Sequence, residues 1–245
     1  LEGKSNINEW NAGASLNYLM FNDFSSEAEI YTTNYKTDEF LENLNGSLFD
    51  ENYFDHTLLQ SEIKNKFNLK KMNGIVGFGM AKEKLERKDF SSIAKQDLKF
   101  IYGQLDYTAF GSIDIIAGSR YDNYTNYDPE ISNKLALGFP ISKQIKYISS
   151  IGTGFKIPDF RQRYFDFTNS TIGYTVLGRE VAFDVLTEME NDAMLQNIFI
   201  PISEINSPLK SETSLNINIG IKFNPNDKVS FDINLFKNEV KNLIE

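Results

Sequence analysis

The chain has 245 residues, of which 41% are hydrophobic, with no cysteine and a formal net charge of −9. That length holds one large β domain or two ordinary ones, and the lack of thiols removes disulfide frameworks and thiolate metal centres. The acidic balance argues against nucleic acid, or an anionic lipid surface, as the main partner. No run approaches eighteen consecutive apolar residues, so a membrane-spanning helix is excluded; a spanning β-barrel is not, because alternation keeps its average hydropathy low. The opening LEGKSNINEW lacks the blocks of a secretory signal, which leaves a removed leader or a start inside a longer chain.

Taken in order, the first strand signal is 10–20, with Trp10, Ala12, Ala14, Leu16 and Tyr18 on one face. Segment 25–35 follows, noisier. The stretch 36–56 (KTDEFLENLNGSLFDENYFDH) reads as a long acidic and aromatic loop. Asp50, Glu51, Asp55 and His56 there have the chemistry of a hard-metal site, but their spacing matches no calcium loop, and a solvated loop is the preferred reading. Segments 57–70 and 74–84 alternate imperfectly. Segments 98–109 and 112–122 flank a tight turn at Phe110 and Gly111. The tyrosine-rich YDNYTNYDPE (121–130) is read as loop and interfacial aromatics. Segments 131–139 and 144–155 flank a second tight turn, PISK.

At 156–210 the strand pattern stops. GTGFKIPDFRQRYFDF begins as a strand end and is halted at Pro158, with two arginines among aromatics. Within the excursion, Ala182, Leu186, Met189 and Ala193 recur at helical spacing, which predicts a short helix over 181–195. Pro201 and Pro208 are expected to keep the return segment extended. Alternation then resumes over 213–223, where Leu215, Ile217, Ile219, Ile221 and Phe223 oppose Ser214, Asn216, Asn218, Gly220 and Lys222. The turn NPND (224–227) leads to a last strand at 229–235.

These ten segments have connections that alternate short and long: 21–24, 36–56, 71–73, 85–97, 110–111, 123–130, 140–143, 156–210 and 224–227. Successive connections of an antiparallel meander lie at opposite ends, so one end is trimmed and the other elaborated. Outer-membrane barrels have this asymmetry. A soluble sandwich or lipocalin-like barrel has mostly short connections at both ends. Apolar faces carrying aromatics near strand ends (Trp10, Tyr18, Tyr121, Phe139, Phe155, Phe223), opposite faces of Asn, Ser, Lys, Asp and Gly, also favour a lipid-facing wall. The expected fold is all-β: an antiparallel up-and-down transmembrane barrel segment with long loops at one end.

Residues 117–165 resemble the central barrel of a TonB-dependent outer-membrane receptor. The family pattern places Gly118, Arg120 and Asp122 at the end of one strand, then Ser132, Lys134, Ala136 and Leu137, then Gly152, Gly154, Phe155, Lys156 and Pro158. LKSETS (209–214) is similar to the family's L-K-P-E-x-S opening, with Ser211 where proline is usual. The resemblance implies that residues 1–245 are part of a barrel of the twenty-two-stranded type, with the plug domain, the TonB box and the C-terminal strands outside this chain. It implies active uptake across the bacterial outer membrane of a scarce nutrient, most of all a ferric siderophore or similar iron chelate. The partners it implies are the lipid bilayer, the plug and remaining strands, TonB and a small-molecule chelate.

The long excursion is then an extracellular loop held at both bases by the wall. Arg161 and Arg163, with Tyr164, Phe165 and Phe167, are the candidate ligand-binding residues, offering cationic forks beside flat apolar faces to an anionic aromatic chelate. The competing reading, preferred for Phe165 and Phe167, packs these rings against the rim or at the membrane interface. No catalytic residue, metal or cofactor is expected. The alternatives are a passive or adhesive barrel, a glycan, haem or cobalamin receptor of the same family, and, least of all, a barrel enzyme, since the lone His56 has no evident serine partner.

Overall fold

The computed structural model describes residues 1–169, 172–207 and 209–244. Ten strands form one antiparallel sheet: β1 (Glu2–Phe21), β2 (Phe24–Glu42), β3 (Leu48–Leu69), β4 (Met72–Arg87), β5 (Ala94–Ala109), β6 (Ile113–Tyr124), β7 (Glu130–Pro140) and β8 (Ile145–Lys156), then β11 (Glu212–Asn226) and β12 (Val229–Lys241). Between β8 and β11 the chain makes helix α1 (Phe160–Tyr164), a two-stranded ribbon of β9 (Asp166–Asn169) and β10 (Tyr174–Leu177), and helices α2 (Arg179–Asn191) and α3 (Ile202–Ile205). In the sheet every strand pairs with its neighbour in sequence, save that β8 pairs with β11 across the excursion. Among the described residues β1 and β12 do not pair with each other, so the sheet is an open wall with two edges.

The period-2 pattern assigns the faces, because successive side chains leave a strand on opposite sides. Register aligns Leu16, Ala28, Ile63, Phe78, Ile101, Tyr121 and Ile131 across seven strands. One step away on β5, the opposite face carries Tyr102, which aligns with Lys64, Gly77 and Arg120 through β4 and β6. The apolar row stays solvent-exposed along most of its length, with Leu16 at 70%, and among the described residues no second layer covers it.

Five connections lie at one end: 22–23, 70–71, 110–112, 141–144 and 227–228. The first is typical of the set, two residues closing the strands directly. Phe110 and Gly111 both take positive φ (49° and 78°), the conformation of the tight hairpin turn their position predicts. At the other end lie 43–47, 88–93, 125–129 and the excursion 157–211. Elaboration is thus confined to one end, but its form differs from expectation. The stretch 36–56 is strand rather than loop: β2 and β3 stay paired to Glu42 and Leu48, with one register shift between Leu41 and Glu42, and only the turn around Gly46 (φ 80°) separates them. Acidic and aromatic or aliphatic residues mix on both faces there, so alternation is lost from the sequence while backbone pairing continues.

Smaller departures have local causes. β11 continues through NPND to Asn226, with Pro225 at a register shift between Phe223 and Asn226, a place where a missing N–H costs no ladder bond. Pro201 precedes and caps α3 instead of holding an extended return; Pro208 lies outside the described residues. The predicted helix over 181–195 is present as α2, two residues earlier at its start and ending at Asn191. Among the described residues no helix is long and apolar enough to cross a membrane, which says nothing about strands.

Candidate functional site

The excursion is clamped where it leaves the wall. Lys156 and Glu212 are directly paired in register, with Nζ 3.7 Å from Oε1, so the long loop departs and returns at a single rung. Pro158 is fully buried behind the turn, and Asp159 starts α1 with a capping box: its Oδ1 accepts from the Gln162 backbone N–H at 2.9 Å, and Gln162 Oε1 accepts from the Asp159 N–H at 2.9 Å. This reciprocal pair satisfies the first donors of a helix only five residues long.

From there the excursion turns onto the polar face of the wall. Phe160 is buried with Leu85, Phe90 and Ala94, and Phe54, Tyr164 and Phe165 pack against them. Phe54, Leu85 and Ala94 stand on the loop end of the polar face of β3, β4 and β5, as the pairs Phe54–Arg87 and Leu85–Ala94 fix. Phe165 bridges to Phe90, and the Asp166 N–H donates to the Asp89 carbonyl at 2.8 Å. Arg87 binds the junction: its guanidinium lies 5.8 Å from the Phe54 ring, 5.4 Å from Phe90 and 5.7 Å from Phe165, and it forks onto the Asp89 carboxylate. Sequence reading missed Arg87; its only signal was an arginine at the strand end beside an aspartate.

The five candidate residues are gathered on α1, its C-cap Phe165 and β9, but in different settings. Arg163 is 1% exposed. Its Nη2 donates to the Tyr164 hydroxyl at 2.7 Å, Nε lies 3.4 Å from Glu180 Oε1, and the Tyr127 and Tyr164 rings lie 5.2 and 4.7 Å away. Burial pushes the Tyr127 and Tyr164 phenols above the ordinary tyrosine range, an effect that Arg163 opposes. Arg161 is exposed, 5.0 Å over the Phe165 ring. Phe167 stacks on Phe165 at 5.7 Å and lies 6.2 Å from Tyr174. Gly178 lets α2 meet this base closely: its N–H donates to the Phe165 carbonyl at 2.6 Å, and a Cβ there would fall 2.5 Å from the Arg163 carbonyl carbon.

Between α1, β10, α2 and α3 lies a cavity of about 770 Å³, lined by Arg161, Gln162, Phe165, Val176, Ala182 and Ile205 among others. An exposed guanidinium over an aromatic ring at its wall would meet a flat anionic group with charge-assisted hydrogen bonds and stacking.

Below the excursion the polar face carries an ionic and aromatic belt. Lys64 lies between Glu27 at 3.0 Å and Glu29 at 3.9 Å, and Lys66 reaches Glu27 at 3.0 Å. The Tyr102 hydroxyl donates to Glu62. Phe100 and Tyr102 lie over Gly79 and Gly77 of β4, where any Cβ would collide with their rings. Arg120 stacks 4.1 Å from Phe100 and donates from Nε to both oxygens of Asp122, which is 2% exposed, at 2.9 Å. The motif residues Gly118, Arg120 and Asp122 therefore share one face of β6. The acidic stretch near the first loop forms no metal cluster: Asp50 pairs with Lys88 at 2.5 Å, Asp55 accepts from Asn34 at 2.8 Å, and His56 meets Glu83 at 2.7 Å. Among the described residues no group of three or more metal-ligating side chains converges.

Known structures share this wall. The siderophore receptor PirA of Pseudomonas aeruginosa superimposes with a TM-score of 0.58 at 16% identity, over 96% of this chain and 46% of its own. The copper transporter OprC gives 0.66 at 11% identity, over 93% of this chain and 37% of its own. The Serratia marcescens hemophore receptor HasR, a double mutant in complex with its hemophore HasA and heme, gives 0.69 at 12% identity, over 97% of this chain and 40% of its own. At such identities the likeness concerns the fold, and the chain spans less than half the length of these proteins. No curated protein matches the sequence. The family model described as TonB dependent receptor-like, beta-barrel, matches residues 1–245. The chain belongs to the TonB-dependent receptor family and forms part of its β-barrel.

Proposed function

We propose that this chain is part of the wall and outer mouth of an outer-membrane receptor for active uptake of a scarce nutrient, with a ferric siderophore or similar anionic iron chelate as cargo. The observation that carries this reading is the excursion. It folds across the polar face of the wall and surrounds a cavity with Arg161 exposed over Phe165. Arg161 contacts the chelate, Phe165 and Phe167 supply the stacking face, and Arg163 with Tyr164 holds that face in place from beneath. The bilayer meets the apolar face. The polar belt faces the interior, where the plug of the same receptor sits, and TonB energises release from the other side, as in the family. No bond is made or broken in this scheme; it is binding followed by gated transport.

The similar structures include a siderophore receptor, a copper transporter and a hemophore receptor in complex with hemophore and heme, so the test must separate these cargoes. In the full receptor, Arg161→Ala is expected to weaken a ferric catecholate by about tenfold, the size of one charge-assisted contact. Binding of haem, measured in parallel by absorbance, is expected to be negligible. Unchanged catecholate affinity in Arg161→Ala removes Arg161 from the site, and tight haem binding with none of the catecholate replaces the cargo class.

A further inference from the structure

We propose that two copies of the receptor meet in the membrane along the outward face of β6, β7 and β8, paired through Asn133. The inference rests on the reading of the apolar face as lipid-facing. Register sets Gly103 against Ser119 and Ser119 against Asn133, and the Asn133 N–H donates to Thr153 Oγ1 on the next strand at 2.9 Å. This row of small polar residues crosses an otherwise apolar surface. It floors a shallow groove of about 710 Å³ whose apolar walls include Ala117, Leu135 and Ile151. Between Asn133 and Phe139, at the trimmed end of β7, lie about 20 Å of strand, or about 14 Å of the membrane normal at the tilt usual in barrels. Asn133 is therefore inside an apolar band of ~25 Å. Tyr121, Ile131 and Phe155 continue that band on the loop side of the row.

A carboxamide at that depth has no water to bond, and an unmet polar group in hydrocarbon is costly. The Asn133 side chain is exposed and makes no hydrogen bond among the described residues. Two other asparagines on this face are met within the wall: Asn65 accepts from Ser26 Oγ at 2.6 Å, and Asn34 donates to Asp55 at 2.8 Å and Thr57 at 3.0 Å. β7 has β6 and β8 on its two sides, so further barrel strands, which join at β1 and β12, do not reach Asn133 through the sheet. A second copy supplies the partner. One carboxamide holds both a donor and an acceptor, so two Asn133 side chains related by a twofold axis bond each other. An axis along the membrane normal also keeps both mouths on the same side. Charge permits the approach: no outward side chain of β6, β7 or β8 is charged. By contrast Asp97 and Lys99 on β5, and Lys237 and Glu239 on β12, face outward in a chain of net charge −9. Ala117 and Ser119 are small enough to let two walls come close. Each barrel curves away on both sides of the contact, so β4 and β5 keep their lipid.

The full receptor, carrying one fluorophore per copy, would be reconstituted in phosphatidylcholine vesicles over a series of protein-to-lipid ratios, and pairs counted by single-vesicle photobleaching. The parent is expected to pair increasingly as its density rises. Asn133→Leu is expected to lower the association constant about tenfold, the size of one side-chain hydrogen bond between membrane segments. Ala117→Phe, which fills the groove without adding polarity, should lower it at least as far. Both variants should insert and melt like the parent, because each still shows the bilayer an apolar side chain. Asn133→Cys should cross-link copy to copy under mild oxidant, whereas Ile63→Cys, on the same face of β3, should not. Pairing of both Asn133→Leu and Ala117→Phe at the parent's level overturns this proposal and leaves the membrane wall standing. So does a parent that stays single at every density, whether lipid or a different barrel then lies in the groove. Failure of the parent to insert overturns both readings.

Discussion

On an α-helix, residues two apart are rotated by about 200°, so Arg161 and Arg163 face nearly opposite ways from the same short turn. That rotation separates their surroundings: one guanidinium lies in the open over Phe165, and the other is enclosed by Tyr127, Tyr164 and Glu180. The sequence displays both arginines and their aromatic neighbours but not the phase of the turn, because a five-residue helix is too short to show periodicity. The capping pattern Asp159–Gln162 was the available signal for it. Gly178 tests how tightly this base is built. Gly178→Ala sets a methyl against the backbone of Arg163 and Phe165, which cannot swing aside, and is expected to loosen the excursion by about 1–3 kcal/mol. Limited proteolysis of the full receptor should then cut within 157–211 several-fold faster than in the parent. An unchanged cutting rate would mean that α2 is not docked on α1.

At the scale of elements, all ten sheet strands were legible from period-2 patterning, since each carries one apolar and one polar face where it crosses the band. Their lengths were not. β2 and β3 extend past the band as a ribbon with polar and apolar residues mixed on both sides, Glu39 opposite Asn52, Phe40 opposite Glu51 and Leu41 opposite Asp50, and such a ribbon has no hydrophobic period to read. β9 and β10, four residues each, likewise leave no pattern. α2 was legible because its buried side recurs over three turns. The packing of β5 on β4 offers an element-scale test. Phe100 lies over Gly79, where an added Cβ would sit 2.6 Å from Phe100 Cζ and against the Ser61 carbonyl oxygen. Gly79→Ala is expected to displace the ring from under Arg120 and to lower stability by about 1–3 kcal/mol, read as a lower unfolding midpoint in detergent. Gly103→Ala, where the nearest atom would be 3.7 Å away, is the matched control and should change little.

At the scale of the whole molecule, the residues that make this a wall are the ones that would make a soluble protein aggregate. Ile101, Phe78, Ile131 and Leu16 are exposed in one continuous row, and nothing among the described residues covers them. The opposite face is filled with ion pairs, stacked rings over glycine, and the inward-folded excursion. The cargo was not legible at this scale, because it depends on the shape of a cavity made where the short elements of the excursion fold onto one another. The division of faces was, and the rest of the account depends on it. It can be measured on β5 in the reconstituted receptor, to which this chain contributes no native cysteine. Single cysteines at positions 101 to 105, spin-labelled, report accessibility to oxygen, which concentrates in lipid, and to a water-soluble nickel chelate. The account predicts oxygen maxima at 101, 103 and 105 with minima at 102 and 104. Uniform accessibility, inverted phase, or shielding of 101, 103 and 105 from both reagents would contradict it.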